Sequence, residues 1–193
     1  MASCIFDFVF EEVPQSTKDY CLQFRWFAAL LNDASLHPIR SPERRIENQS
    51  GNAFLARTLN TKDTIPACQS FYKSPSLIHV PGGPPNLGEL QTFYVLNSGL
   101  DGHEGFCHGG SLSTAMDQTM GSLARSYPNT HPYTKYLHVN FEKPFRTPGA
   151  LLCRVWLTKI NGRKLWVCGS MEDAQGNPYI TAEALFVNVG PQL

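Results

Sequence analysis

His108-Gly109-Gly110-Ser111-Leu112-Ser113-Thr114-Ala115-Met116-Asp117 decides how this chain is read. Leu112, Ala115, Met116, Thr119, Met120 and Leu123 recur at helical spacing, which predicts a helix from about residue 110 to 126 with one buried face. Two glycines at its entrance carry no side chain, so a substrate oxygen could approach backbone N–H groups that lack an intrahelical partner. Those donors and the positive end of the helix dipole suit an oxygen gaining negative charge. Asp117 falls about two turns into the helix, at the edge of the apolar stripe, where a general base would stand beside that electrophile site. Ser113, Asp117 and Gly121 are spaced four apart and form a small, polar flank with room for a ligand. Spacing alone leaves a second reading open, in which Gly121 only permits close packing and Asp117 is a solvated helix residue.

Outward from the helix, the pattern is of strands. A strand is expected near residues 90–96, then a loop over 97–107, the helix, and four strands in succession. Leu137, Val139 and Phe141 alternate with His138, Asn140 and Glu142, which predicts a strand over 136–145 with one buried face. Strands over 150–160 and 164–173 flank Asn161-Gly162, a pair typical of a two-residue hairpin turn. The last strand spans 179–189. The fold class is therefore α+β: an antiparallel sheet wrapped around one long helix, preceded by a helical extension. Tyr20, Phe24, Phe27, Ala28 and Leu31 predict a helix over about 17–34, capped by Ser16 or Thr17, and residues 53–59 read as a short strand. The proline- and glycine-rich stretch from Ser74 to Gly88 reads as loop and divides an extension, residues 1–75, from a core domain, residues 76–193.

The chain has 193 residues, with sixteen basic side chains balancing sixteen acidic ones, so one domain is expected and nucleic acid is not an expected partner. No apolar run is long enough to span a bilayer. The amino-terminal residues lack a basic segment and include acids, which favours a cytoplasmic location. Six cysteines without a CxxC pair fit reduced thiols. His103, Glu104, Cys107 and His108 crowd into six residues, but there is no second ligand cluster, so neither a metal nor another cofactor is expected. Lys143, Arg146, Lys159, Arg163 and Lys164 near turns could meet phosphates, although such residues are ordinarily solvated. No GxSxG, GxxxxGK or GxGxxG motif is present, which removes most support for serine hydrolysis and for nucleotide chemistry.

Gly102-His103-Glu104-Gly105-Phe106-Cys107-His108-Gly109-Gly110 followed by Asp117 resembles the HGG-x6-D signature of hotdog-fold acyl thioesterases, in the branch of the phenylacetate-pathway and THEM-type enzymes. The loop Gly99-Leu100-Asp101-Gly102-His103 and the ending Phe141-Glu142-Lys143-Pro144 are similar to fungal members. The resemblance covers about residues 88–190. It implies hydrolysis of an acyl-CoA or acyl-carrier-protein thioester, by a homodimer with sites at the subunit interface whose dimers could pair again. It implies that Asp117 is the base or nucleophile, that the Gly109 and Gly110 amides polarise the carbonyl, and that His108 orients it. Thr134 would supply a hydroxyl from the partner subunit, and His103, Ser113, Gly121, Lys143 and Arg146 are candidates for substrate binding. Two further readings keep the fold: release or cyclisation of a carrier-bound polyketide, and non-catalytic acyl binding. One departure stands out, since some members carry Asn or Gln six residues before the histidine of HGG, where this chain has Gly102.

Overall fold

The computed structural model describes residues 6–44, 52–75 and 87–190. Its elements in chain order are α1 (Gln15–Cys21), α2 (Arg25–Asn32), β1 (Leu36–Ile39), β2 (Cys68–Lys73), β3 (Glu89–Leu96), β4 (Asp101–His103), β5 (Phe106–Cys107), α3 (Gly109–Arg125), β6 (Pro132–Phe141), β7 (Gly149–Asn161), β8 (Lys164–Glu172) and β9 (Pro178–Asn188). Seven strands form one antiparallel sheet in the order β1-β2-β3-β7-β8-β9-β6, and β4 and β5 pair as a small separate ribbon. This is the expected α+β arrangement of a sheet curled about a long helix.

The helix sits in the sheet because both surfaces are apolar where they meet. Leu112, Ala115, Met116, Met120 and Leu123 of α3 are almost fully buried against Leu151, Val155, Val167, Met171, Ile180 and Ala184. Burying one such Leu, Met or Val side chain contributes about 1.5–3 kcal/mol. Gly169 in β8 sets how close the layers come. A Cβ there would stand 2.7 Å from the Arg154 carbonyl oxygen and 3.2 Å from Met116 Sδ.

The amino-terminal part differs from expectation in three ways. The single helix over 17–34 is two helices, broken at residues 22–24, and its first cap is Pro14 with no side-chain hydrogen bond, not Ser16 or Thr17. The break lets Cys21 and Phe27 both reach zero exposure on the outer face of the sheet, where Phe27 meets Phe93 at 4.8 Å between ring centroids, while Tyr20 stays exposed. Residues 53–59 hold no strand: Phe54–Thr58 is a π-helical turn, an outcome that periodicity cannot separate from a strand in so short an apolar run. The sheet also crosses the division at residue 75, since β1 and β2 continue it beyond β3. Most of the proline- and glycine-rich stretch, residues 76–86, lies outside the described residues, as does Cys4. The other five cysteines are free thiols.

Two corrections apply to the carboxy-terminal strands. β6 begins four residues earlier than expected and ends at Phe141. It is an edge strand, so its inward face is only half covered and Phe141 is 55% exposed. At the β7–β8 hairpin, Asn161 pairs with Lys164, so the two turn residues are Gly162 and Arg163, with Gly162 at φ +55°.

Candidate active site

Helix α3 opens on His108. Its Nδ1 accepts a hydrogen bond of 2.8 Å from the Gly110 N–H, and its carbonyl accepts from Ser111 and Leu112. An acceptor at Nδ1 leaves the proton of the neutral ring on Nε2, where it can be donated outward. This corrects the role expected of Gly110, whose amide is already engaged by the imidazole. The Gly109 amide has no hydrogen-bond partner among the described residues. It is the donor left over at the helix start, and the Phe141 ring lies 3.0 Å from where a Gly109 Cβ would stand.

Gly102 is explained by the same histidine. A Cβ on Gly102 would come within 2.9 Å of His108 Cδ2 and 3.2 Å of its Cα and Cβ, so the histidine packs directly against the glycine. A side chain at this position would displace the histidine. Asp101 anchors this loop: its Oδ2 accepts from the Gly105 N–H at 3.0 Å, and Thr147 Oγ1 donates to its Oδ1. His103 is exposed on β4.

Asp117 is half-buried on the flank of α3 that the spacing singled out. Burial pushes its carboxyl above the usual carboxylate range, and a hydrogen bond of 3.0 Å from Thr134 Oγ1 opposes part of that rise. Thr134 lies on β6 of the same chain as the Asp117 that it binds. Asp117 forms part of the wall of two depressions. One, of about 370 Å³, is walled by Phe8, Arg40, Asn52, Gln118, Gly121, Arg125, Thr134 and Phe186 among others; the second, more open, is about 350 Å³ and is bounded by Phe54, Leu55, Ser113, Thr114 and Leu137. Ser113 donates to the Gly109 carbonyl at 2.9 Å, so its hydroxyl serves the helix as well as the depression.

The expected closeness of Asp117 to the electrophile site needs correction. Eight residues separate Gly109 from Asp117, which at the helical rise puts them about 12 Å apart along one axis. Lys143 and Arg146 also fall away from both depressions. The Lys143 ammonium lies over the Tyr179 ring at 4.1 Å and 3.8 Å from Asp173, whereas the Arg146 guanidinium covers Phe106 beside the loop that leads into α3. Among the described residues no group of three or more His, Cys, Asp or Glu is arranged to hold a metal ion.

Residues 104–179 match the thioesterase superfamily. The chain is also 29% identical over 188 residues to the acyl-coenzyme A thioesterase THEM4 of Mus musculus, spanning 93% of this chain and 80% of that protein. It is 27% identical over 168 residues to verlamelin biosynthesis protein B of a Lecanicillium species, spanning 72% and 73%. In fold it is similar to a hypothetical thioesterase of Streptococcus pneumoniae crystallised with coenzyme A, with a TM-score of 0.51 at 17% identity, covering 55% of this chain and 82% of that one. The matched part contains His108, Gly109, Asp117 and Thr134 but none of the residues before β3. Phe8, Arg40, Asn52 and Phe54 are therefore walls that a reading confined to the superfamily segment misses. The one signal for them in sequence is the amphipathic character of the extension, which says that it packs but not where.

Proposed function

We propose that this protein hydrolyses acyl thioesters, with Asp117 as the general base and the Gly109 amide as the oxyanion donor. Acyl-CoA thioesterase activity is carried by its relatives at family level. The observation that carries the reading for this chain is the half-buried Asp117 carboxyl, raised by burial, held by Thr134 and open to a cavity. Asp117 takes a proton from water as the water oxygen bonds to the thioester carbon. The carbonyl oxygen becomes an oxyanion facing the Gly109 N–H, with His108 Nε2–H as a second donor. The intermediate collapses by breaking the carbon–sulfur bond, and the thiolate recovers the proton from Asp117. The products are a carboxylic acid and the free thiol of coenzyme A or a carrier protein.

One helix cannot bring both groups to one carbonyl across about 12 Å. The reading is therefore completed by a second copy, so that Asp117 and Thr134 of one protomer face Gly109 of the other. The ten-residue edge strand β6, which has no second neighbour among the described residues, supports a homodimer that joins through it. The similarity to a biosynthesis protein keeps release of a carrier-bound acyl or polyketide chain as a second reading of the same chemistry. Free-thiol release from a panel of acyl-CoA and acyl-carrier-protein substrates, with product masses, tests both. Turnover that yields acid supports hydrolysis; a lactone product favours cyclisation; binding without turnover overturns the catalytic reading.

A further inference from the structure

The larger depression has a shape and a charge pattern that the hydrolytic reading does not use. Asp117, Gly121 and Arg125 follow one another at intervals of four along α3, so they lie in a row on one side of the helix. Gly121 has no side chain, and the Phe186 ring lies 3.5 Å from where its Cβ would be, which leaves a trough with an aromatic floor between the carboxylate and the guanidinium. The amino-terminal segment closes the other side. It is tied to the end of α3 by a hydrogen bond of 2.8 Å from the Asp7 N–H to the Ser126 carbonyl, and to β1 by one of 2.8 Å from the Arg40 N–H to the Val9 carbonyl, so Phe8 faces the trough.

Charge is concentrated at the end away from the helix start. Arg125, in the last turn of α3, lines the depression there, and Arg40 also belongs to its lining. Arg40 is engaged through Nε with Glu11 at 3.0 Å, whereas the Arg125 guanidinium has no ion-pair partner among the described residues. Side chains on a helix lean toward its amino terminus, and Arg125 forms part of the depression's wall one turn beyond Gly121. Asp7 contributes the only carboxylate in the lining besides Asp117. The Arg125 backbone stands about 12 Å along the axis from that of Asp117, and its guanidinium, without an ion-pair partner among the described residues and on the wall of the same depression, is placed to meet the far end of an acyl chain.

Resting on the hydrolase reading, we propose that the preferred acyl group carries a carboxylate at its far end, with Arg125 as the residue that selects it. The thioester lies against Asp117, the chain crosses Gly121 between Phe8 and Phe186, and the terminal carboxylate meets Arg125. The carrier leaves in the opposite direction, past the exposed start of α3. A phosphate of the carrier presents the same chemistry to Arg125, so the test must separate the two.

Values of kcat/KM are measured for ω-carboxyacyl and unsubstituted acyl thioesters of matched length, each on coenzyme A and on the phosphate-free carrier N-acetylcysteamine. The wild-type protein is expected to prefer the carboxylated member at one chain length. Arg125→Gln is expected to lower that preference about 10- to 100-fold on both carriers, the size of one charge-assisted hydrogen bond, with Arg125→Lys intermediate. Arg125 is exposed, so these variants are expected to fold. The absence of a preference in the wild type, or an equal loss for both acyl classes, overturns the proposal. A loss confined to coenzyme A thioesters assigns Arg125 to the carrier and overturns it too. Failure to hydrolyse any thioester removes the hydrolase reading itself.

Discussion

Thr134 Oγ1 donates a hydrogen bond of 3.0 Å to Asp117 Oδ1, joining the edge strand β6 to the flank of α3. The bond stabilises the ionised carboxylate against the burial that disfavours it. A general base works only when deprotonated, so activity falls as pH drops through the carboxyl's pKa. Thr134→Val keeps the shape and removes the donor. The acidic limb of the kcat/KM profile is expected to move to higher pH, as read from thiol release across a pH series; an unmoved limb separates Thr134 from the base.

Asp117→Asn is expected to lower turnover by about 10²- to 10⁴-fold, the usual contribution of a general base. It is also expected to raise the melting temperature at neutral pH. Burial raises the folded pKa above that of the unfolded chain, so in the window between them the native state holds the extra proton and stability falls as pH rises. At neutral pH the ionised, half-buried carboxylate is a net cost, and an amide has no charge to desolvate. Calorimetry at neutral pH, and below the ordinary carboxylate range of about 3.9, checks this, with the advantage shrinking at the lower pH.

If one site takes Asp117 from one protomer and Gly109 from the other, two inactive variants should complement each other. Mixed and re-equilibrated Asp117→Asn and Gly109→Val proteins are expected to recover about a quarter of wild-type activity, because half the dimers are mixed and each has one intact site. Recovery of none would place both residues in one protomer's site.

The His108–Gly110 contact separates cap from chemistry. His108→Ala removes the acceptor for the Gly110 N–H and is expected to cost about 0.5–2 kcal/mol. For a chain of this size that lowers the melting temperature by about 2–4 °C for each kcal/mol. His108→Asn restores an acceptor and the stability, while hydrolysis stays impaired because the outward Nε2–H is gone. Thermal melts beside turnover distinguish the two losses.

Gly169→Ala tests the closeness of helix and sheet. The added methyl meets backbone at 2.7 Å and Met116 at 3.2 Å, and neither the strand nor the helix can yield without disturbing the core. A loss of about 1–3 kcal/mol is expected from chemical denaturation, typical of overpacking.

Local sequence was enough for much of this molecule. Helix α3, the order of strands around it, and the flank of Ser113, Asp117 and Gly121 all follow from periodicities of 3.6 and 2, which are set by backbone geometry within a few residues. What periodicity leaves out is every relation between distant segments. It placed Asp117 beside the helix start, although the helical rise separates them by about 12 Å, and it treated both glycine amides as available, although the imidazole of His108 holds one. It made Phe141 a buried residue because it cannot tell an edge strand from a central one. The extension shows the same limit most clearly. Its apolar residues announce that it packs, but only the sheet decides that β1 and β2 extend the fold and that Phe8 and Arg40 stand across from Gly121 and Arg125. The chain's own pattern determined helix α3 and the strands that follow it; the enclosure around Asp117 arises from contacts between segments far apart in sequence, such as Phe8 and Arg40 with Gly121, which no local rule encodes.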